Sequence, residues 1–139
     1  MPPDHDPREA LLREARAVVG VFTLIKPSIR AGEVGAALES ASGRIYTGIN
    51  LDLACGIGFC AEHSAVADML KQRETVVRRL VAVNEERIVA PCGRCREMLV
   101  QVDPRNLDCE ILMPEGVVVS LSDLLPNAGL EHLLVGHRT

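Results

Sequence analysis

Two short cysteine motifs, about thirty residues apart, constrain this chain more than any other feature. The first is Cys60-Ala61-Glu62 and the second is Pro91-Cys92-Gly93-Arg94-Cys95. Together they supply three thiols able to hold one metal ion, with a carboxylate beside the first. Zinc prefers four tetrahedral ligands, and a structural zinc site fills all four from the protein. Three ligands and a neighbouring acid therefore indicate a position left open for water, which is typical of a hydrolase.

Both motifs fall at predicted helix starts. Cys60 precedes a helix predicted over 61–71, and Cys92 and Cys95 lie in the first turn of a helix predicted over 92–102. Residues three apart share a helical face, so Cys92 and Cys95 can hold the same ion. Helix N-termini also carry partial positive charge and free N–H groups, which stabilise thiolates. The sequence thus predicts a zinc ion held by Cys60, Cys92 and Cys95.

Glu62 lies two residues beyond the first predicted ligand, so its side chain can reach water in the open position without binding the metal. Such a carboxylate can take a proton from water and return it to a leaving nitrogen. Zinc deaminases combine this type of ligand set with a Glu that does not bind the metal. We therefore expect a hydrolysis that releases ammonia, with Glu62 as the catalytic proton carrier.

The cysteine motifs have two other interpretations, a structural zinc site and a Cys-x-x-Cys redox pair. A structural site needs a fourth ligand, for which His63 or one of the two remaining cysteines is available. A redox pair has no need of Cys60-Ala61-Glu62. Both alternatives stay open at this point, with catalysis favoured.

Composition limits the partners of the chain. Its 139 residues, 47% apolar and 24% charged, are enough for one globular domain spanning 1–139. The formal net charge of −4 and the 2% of aromatic residues are atypical of nucleic-acid binders, which need basic and stacking side chains. No apolar run approaches the length of a membrane span. We expect a small-molecule substrate, with neither nucleic acid nor membrane as a partner.

Cysteine usage indicates a reducing compartment. Five cysteines is an odd number, and three of them have metal spacing, so a disulfide framework is not predicted. The first residues, Met1 to Asp6, show no basic region followed by an apolar core, so no secretory signal is predicted either. A cytoplasmic location follows as an expectation. Cys55 and Cys109 are predicted to be buried as small apolar residues.

The remaining patterns predict alternating helices and strands. A first helix, capped by Asp6, is predicted to run to about Leu24. A hairpin is predicted over 33–39 and 44–48, followed by a loop over 50–59. Further strands are predicted over 79–84, 109–113 and 117–120, and a last helical turn starts at Ser120 or Ser122. This is an α/β pattern, with a sheet covered by helices on both faces.

The chain resembles the cytidine deaminase family, in its short three-cysteine form, and the related blasticidin S deaminases. The resemblance covers about Val34 to Pro126. Besides the two cysteine motifs, it rests on four shorter matches: Val34-Gly35-Ala36-Ala37-Leu38, Gly43-Arg44-Ile45, Gly48-Ile49-Asn50-Leu51-Asp52 and Leu124-Leu125-Pro126.

The resemblance implies a three-layer α/β/α sandwich with a five-stranded mixed sheet, assembled as a homotetramer. By the same resemblance the three cysteines are zinc ligands and Glu62 is the proton shuttle. Asn50 and Asp52 stand where the family binds the ribose hydroxyl, and the Ala61 backbone would contact the pyrimidine. From the residues alone, Asn50 and Asp52 could instead be turn formers.

This chain also departs from the family pattern. The Arg that usually follows the catalytic Glu, and whose charge offsets the three thiolates, is His63 here. Gly32 and Gly129 stand where aromatic side chains usually pack against base and sugar, and Asp52 is a methylene shorter than the usual Glu. A wider or differently shaped pocket is therefore expected.

The predicted function is zinc-dependent hydrolytic deamination of a cytosine-type nucleoside, cytidine or deoxycytidine, to the uracil form. Asn50 and Asp52 favour this substrate because they retain a sugar-binding pattern. The alternative is a blasticidin S-type or other amino-substituted nucleobase. A third hypothesis, from a different functional class, is a non-catalytic protein in which zinc is structural.

Overall fold

The computed structural model of the protein describes residues 6–130. Asp6 caps the first helix as predicted, because its side chain accepts a hydrogen bond from the Arg8 N–H at 3.0 Å. The short last helix follows Ser120, also as predicted. Residues 1–5, on which the signal-peptide prediction largely rests, lie outside the described range. The helices are α1 (Pro7–Ala17), α2 (Ala61–Lys71), α3 (Gly93–Val102) and α4 (Leu121–Leu124).

Helix α1 is shorter than predicted. It was expected to reach Leu24, but it ends at Ala17 and Phe22–Thr23 form a strand. Gly20 explains the difference, because glycine loses the most backbone freedom in a helix. Its N–H instead donates to the Gly32 carbonyl at 3.0 Å, which turns the chain back along the sheet.

One mixed sheet forms the middle of the molecule. Its second strand is flanked by the third and the fourth, both antiparallel to it, and the fourth pairs in parallel with the sixth. The first and fifth strands are two-residue additions to the second and the fourth. The strands are β1 (Phe22–Thr23), β2 (Arg30–Ser40), β3 (Ile45–Asp52), β4 (Val77–Val83), β5 (Ile88–Val89), β6 (Glu110–Leu112) and β7 (Val118–Ser120).

The predicted hairpin is confirmed, but β2 and β3 are longer than expected. As a result Asn50 and Asp52, predicted in a loop, lie at the end of β3. The sheet has seven strands in residues 6–130 and not five, because β1 and β5 add to five longer strands. The mixed character of the sheet is as predicted.

Alternate residues of the sheet face different helices. Ala36 and Leu38 of β2 pack in a core shared with α2 and α3, whereas Ala37 between them packs against α1. In β4, Leu80 and Val81 divide in the same way. This period of two is what a sheet buried on both faces requires. The protein is therefore a three-layer α/β/α sandwich, as predicted.

Gly48 sets the position of α2 on the sheet. A Cβ atom at Gly48 would lie 2.4 Å from the Ala65 nitrogen and 2.7 Å from the Ala61 carbonyl oxygen. Only glycine therefore lets the first turns of α2 approach β3 so closely, and this contact fixes where Cys60, the residue before α2, is placed. Within residues 6–130, every helix is too short or too polar to cross a bilayer.

Candidate metal centre

The three predicted ligands lie at the starts of two neighbouring helices. Cys60 is the N-cap residue of α2 and Cys92 is the N-cap residue of α3, and neither thiol makes a capping hydrogen bond. Cys95 lies in the first turn of α3 and is fully buried. Helix N-termini favour negative charge, so both helices are oriented to stabilise thiolates.

The thiols are close enough to share one ion. The sulfur atoms of Cys60 and Cys92 lie 3.4 Å apart, and those of Cys92 and Cys95 lie 3.3 Å apart. All three lie within 4.8 Å of one another. Tetrahedral zinc with bonds of about 2.3 Å needs sulfur atoms about 3.8 Å apart, so only small side-chain movements separate this cluster from a zinc site.

Without a bound cation, burial would keep two of the three thiols protonated at neutral pH. Burial raises the pKa of Cys95 well above its usual range, and burial together with the Cys92 thiol raises the pKa of Cys60 to about 11. Burial also opposes ionisation of Cys92, but the N–H groups at the start of α3 and the two other thiols lower its pKa below the ordinary value. Three thiolates at neutral pH therefore require a bound metal, and the donor set suits zinc.

No side chain in residues 6–130 completes the cluster as a fourth ligand. The cluster contains Cys60, Cys92 and Cys95 alone. Cys109 is buried as predicted, but in the hydrophobic core. Cys55 is exposed, contrary to prediction, in a surface turn where its φ is 61°. His63 lies against Cys95, with Nδ1 3.6 Å from the sulfur, yet does not join the group. The described residues therefore do not form the four-ligand arrangement of a structural zinc site.

Glu62 follows the Cys60 cap in the first turn of α2 and is only 4% exposed. Burial raises the pKa of its carboxyl above the ordinary value, although its own backbone N–H and the Cys95 thiol act in the opposite direction. A carboxyl of this kind can hold a proton closer to neutral pH than an exposed one can. It is the type of group that acid–base chemistry at the metal needs.

An open pocket of about 330 Å³ adjoins the cluster at Cys60. Arg94 is the one positively charged residue among the described residues that line it. Three of the predicted or candidate residues, Asn50, Asp52 and Cys60, lie together on its wall. The other residues that line it are Leu51, Leu53, Gly56, Gly58, Phe59 and Arg94.

Asn50 has a structural task in addition to any substrate contact. Its Oδ1 accepts a hydrogen bond from the Val34 N–H at 2.9 Å, where the β2–β3 register shifts between Ala31 and Gly35. The side-chain amide thereby satisfies a backbone donor that the irregular ladder leaves over. With the carbonyl side of the amide used, Nδ2 makes no hydrogen bond within residues 6–130 and can act as a donor in the pocket.

Asp52 pairs with Arg30, a residue for which no role was predicted. Arg30 lies opposite Asp52 in the β2–β3 register, and its Nη2 is 3.5 Å from Asp52 Oδ2 and 2.8 Å from Glu33 Oε1. Both members of the Arg30–Asp52 pair are about half exposed, so the ion pair contributes little to stability. A substrate hydroxyl could therefore take the place of Arg30 at the Asp52 carboxylate. Asp52 is therefore oriented without being locked.

The structure also explains Gly32. Its φ is +82°, and a Cβ there would lie 2.4 Å from the Gly20 carbonyl oxygen. Backbone of the α1–β1 connection thus fills the space that a side chain would need. Sequence reasoning missed Arg94 and Phe59 as pocket residues, although the place of Arg94 between two predicted ligands was a usable signal.

Fold and site together define the class of this protein as a zinc-dependent hydrolase. Residues 9–110 match the family model described as the cytidine and deoxycytidylate deaminase zinc-binding region. The chain belongs to this family, which confirms the resemblance seen in its motifs.

Individual relatives agree with the family model. The chain is 32% identical over 119 residues to a cytidine deaminase from Halalkalibacterium halodurans, which covers 76% of this chain and 90% of the relative. It is 30% identical over 106 residues to a blasticidin-S deaminase from Bacillus cereus, with 67% and 74% covered. Two other curated relatives are matched over only about half of their length or less.

The fold has a similar counterpart among solved structures. The crystal structure of cytidine deaminase from Mycobacterium leprae matches with a TM-score of 0.73 and 26% sequence identity. The match covers 86% of this chain and 98% of that one. The sandwich is thus the fold of a known cytidine deaminase.

Proposed function

We propose that this protein deaminates the cytosine ring of a nucleoside by hydrolysis, converting cytidine or deoxycytidine to the uracil form and releasing ammonia. The observation that carries the proposal is the cluster of three thiols beside the buried carboxyl of Glu62, at the edge of an open pocket. The family and the cytidine deaminases among the relatives support the substrate class.

Cys60, Cys92 and Cys95 would hold the zinc ion as thiolates, fixed by the first turns of α2 and α3. Zinc bound there supplies a Lewis acid that activates water. The pocket next to Cys60 would give water and substrate access to an ion held by these thiols.

Glu62 would move the protons of the reaction. Its carboxylate takes a proton from the attacking water and delivers it to the amino nitrogen on the ring, so that ammonia leaves as a neutral molecule. The raised pKa of the buried carboxyl supports this role, because a group that is never protonated could not return the proton. The proton that Glu62 takes from the attacking water is thus the one that allows the amino group to leave.

Three residues would hold the substrate. Asn50 offers Nδ2 and Asp52 offers its carboxylate to the sugar hydroxyls, since both line the pocket. Ala61, the first residue of α2, would contact the pyrimidine through its backbone. The position of Asn50 and Asp52 beside Cys60 supports these assignments.

We extend the proposal to the setting of the enzyme. The domain would comprise residues 1–139 and act as a homotetramer in the cytoplasm on a small nucleoside, not on nucleic acid. The open pocket and the exposed apolar residues Val21, Phe22 and Ile25 support self-association. Five free cysteines support a reducing compartment, and the net charge of −4 disfavours a polynucleotide.

A substrate panel tests the proposed function. Zinc-loaded protein is assayed for ammonia release with cytidine, deoxycytidine, cytosine, blasticidin S and a cytosine-containing single-stranded oligonucleotide. Turnover of the two nucleosides above the other three supports the proposal, and light scattering on the same sample gives the subunit number. Preference for blasticidin S would change the proposed substrate but leave the proposed reaction, hydrolytic deamination, unchanged. A zinc-loaded protein inactive on all five would favour a structural role.

A further inference from the structure

The thiol cluster has a charge problem that its ligands do not solve. Three thiolates on one Zn²⁺ leave a net charge of −1, and the Glu62 carboxyl lies next to them. Removing this excess charge from water is unfavourable unless neighbouring groups donate hydrogen bonds or carry positive charge. The problem is most acute at Cys95, which is 0% exposed and receives no help from water.

His63 is placed to help Cys95 directly. It lies in the first turn of α2, is half-buried, and has Nδ1 3.6 Å from the Cys95 sulfur. This separation is within hydrogen-bond range for a sulfur acceptor. A metal-bound thiolate has no proton to donate, so in the loaded protein Nδ1 must carry the hydrogen of this contact.

Arg94 carries a positive charge on the side of the cluster that faces the pocket. It lies between Cys92 and Cys95 in the first turn of α3 and lines the pocket together with Cys60. On its other side it lines a groove of about 500 Å³ with His63. Its Nη1 lies 3.5 Å from the Gly58 carbonyl oxygen, which holds the guanidinium over the segment leading into Cys60.

We propose that two side chains share the compensation of thiolate charge at this centre: His63 donates its Nδ1–H to the Cys95 thiolate, and Arg94 contributes the cation. Both are positioning residues, because they act on the metal ligands and not on the substrate. The inference rests on the proposed ligation by the three cysteines. It does not depend on which nucleoside the enzyme uses.

A matched pair of substitutions isolates the hydrogen bond. His63→Asn keeps an N–H donor close to the position of Nδ1, whereas His63→Leu has a similar size and no donor. Zinc affinity is measured by competition with a chelator. Loss of a hydrogen bond to a metal ligand typically weakens metal binding about 10–100-fold, so we expect that loss in His63→Leu and near-normal affinity in His63→Asn.

Cobalt(II) substitution gives a second readout that a purely structural role would not change. A hydrogen bond to sulfur lowers the energy of its lone pairs and moves the thiolate-to-cobalt absorption band to shorter wavelength. We expect the band to move to longer wavelength in His63→Leu and to stay in place in His63→Asn.

The charge of Arg94 is tested by Arg94→Gln against Arg94→Lys. The neutral variant should bind zinc a few-fold more weakly at low salt, and the difference should shrink as salt is added. The lysine variant should remain close to the parent protein.

The outcomes separate this inference from the proposed function. Equal zinc affinities and equal cobalt bands in His63→Leu and His63→Asn would overturn the role of His63, whatever the activity. Equal affinities in Arg94→Gln and Arg94→Lys at low salt would overturn the role of Arg94. Absence of thiolate-to-cobalt bands in the parent protein would overturn both. An intact hydrogen-bond effect in a protein that deaminates no nucleoside would leave this inference standing and remove the proposed function.

Discussion

Cys60 and Cys92 occupy the same place in two different helices: each is the N-cap residue, and their sulfur atoms lie 3.4 Å apart. The two residues are 32 positions apart in the chain, with β4 and β5 between their helices. An ion bound between them therefore cross-links the starts of α2 and α3. Metal binding and the stability of this part of the fold must be coupled.

Cys92→Ala should lose both the zinc and the stability that zinc provides. With zinc at about 100 times its Kd, the bound ion contributes about 2.7 kcal/mol to the free energy of unfolding. We expect zinc content close to zero and a loss of that size in denaturant unfolding. Cys55→Ser is the control, since this exposed thiol lies outside the cluster. Full zinc content with unchanged unfolding would contradict ligation by Cys92.

Glu62→Gln should keep the zinc and the fold but lose most of the activity. The amide has the size of the carboxyl and cannot carry a proton, and proton transfer by a positioned side chain contributes about 10²- to 10⁴-fold to a rate. The measurement is kcat with zinc content determined on the same sample. Glu14→Gln, on the exposed side of α1, is the control for loss of a charge. Parent-like turnover in Glu62→Gln would remove the assigned role.

The thiol cluster could be predicted from the sequence because the information that specifies it lies in two short motifs. Cysteine spacing and helix-start position fixed Cys60, Cys92 and Cys95 relative to Glu62, and α2 begins and ends where predicted. Such short-range patterns do not need the tertiary structure to be interpreted. The three-layer sandwich followed from the alternation of helices and strands and from the family resemblance.

Features that depend on register were not readable. The Arg30–Asp52 pair exists because β2 starts three residues earlier than predicted and places the two residues opposite each other. That earlier start in turn depends on the chain turning back at Gly20, just after α1 ends, although the helical pattern of apolar residues continues beyond this point. Local periodicity cannot show that a tertiary hydrogen bond to Gly32 competes with the helix.

Gly48→Ala should displace α2 and weaken the metal centre from a distance. The new methyl group would lie 2.4 Å from the Ala65 nitrogen and 2.7 Å from the Ala61 carbonyl oxygen, and neither backbone atom can move alone. Overpacking of this kind typically costs about 1–3 kcal/mol. We expect a loss in that range by chemical unfolding, with weaker zinc binding in the chelator assay.

The control for Gly48 is Gly20→Ala. A Cβ at Gly20 meets nothing within 4 Å, so the same chemical change lacks the clash. Its unfolding free energy should stay within about 1 kcal/mol of the parent value. Equal effects of the two substitutions would show that the α2–β3 contact does not limit the position of α2.

Glu74 should make the fold sensitive to acid. Hydrogen bonds from Ser42, Tyr46 and Ser40 lower the pKa of its carboxyl from 4.5 to about 2. Because the folded-state pKa is the lower one, this carboxylate stabilises the fold above about pH 4.5, and the contribution is lost as the pH falls toward 2. The same hydrogen bond affects Tyr46 at alkaline pH, because the bond to Glu74 raises the pKa of the phenol above 10.0.

The measurement is the difference in unfolding free energy between the parent protein and Glu74→Gln as a function of pH. We expect acid to release zinc equally from both proteins, because Glu74 lies outside the thiol cluster, so the difference isolates Glu74. We expect the parent to be more stable near pH 6 and the two curves to converge as the pH falls from 4.5. A difference that stays constant with pH would contradict the lowered pKa.

Asp52→Ala should impair turnover of nucleosides and spare turnover of the free base. The Asp52 carboxylate lines the pocket, and among residues 6–130 its side chain pairs loosely with Arg30 alone, so it can accept a hydrogen bond from a sugar hydroxyl. A hydrogen bond to a charged group is worth about 1.5–3 kcal/mol, which corresponds to a loss of about 10- to 150-fold in kcat/KM for cytidine. The value for cytosine, which has no sugar, should not change. Asp108→Ala, at an exposed aspartate outside the pocket, should alter neither value. An equal loss for cytidine and cytosine would show that Asp52 supports the site as a whole and does not recognise the sugar.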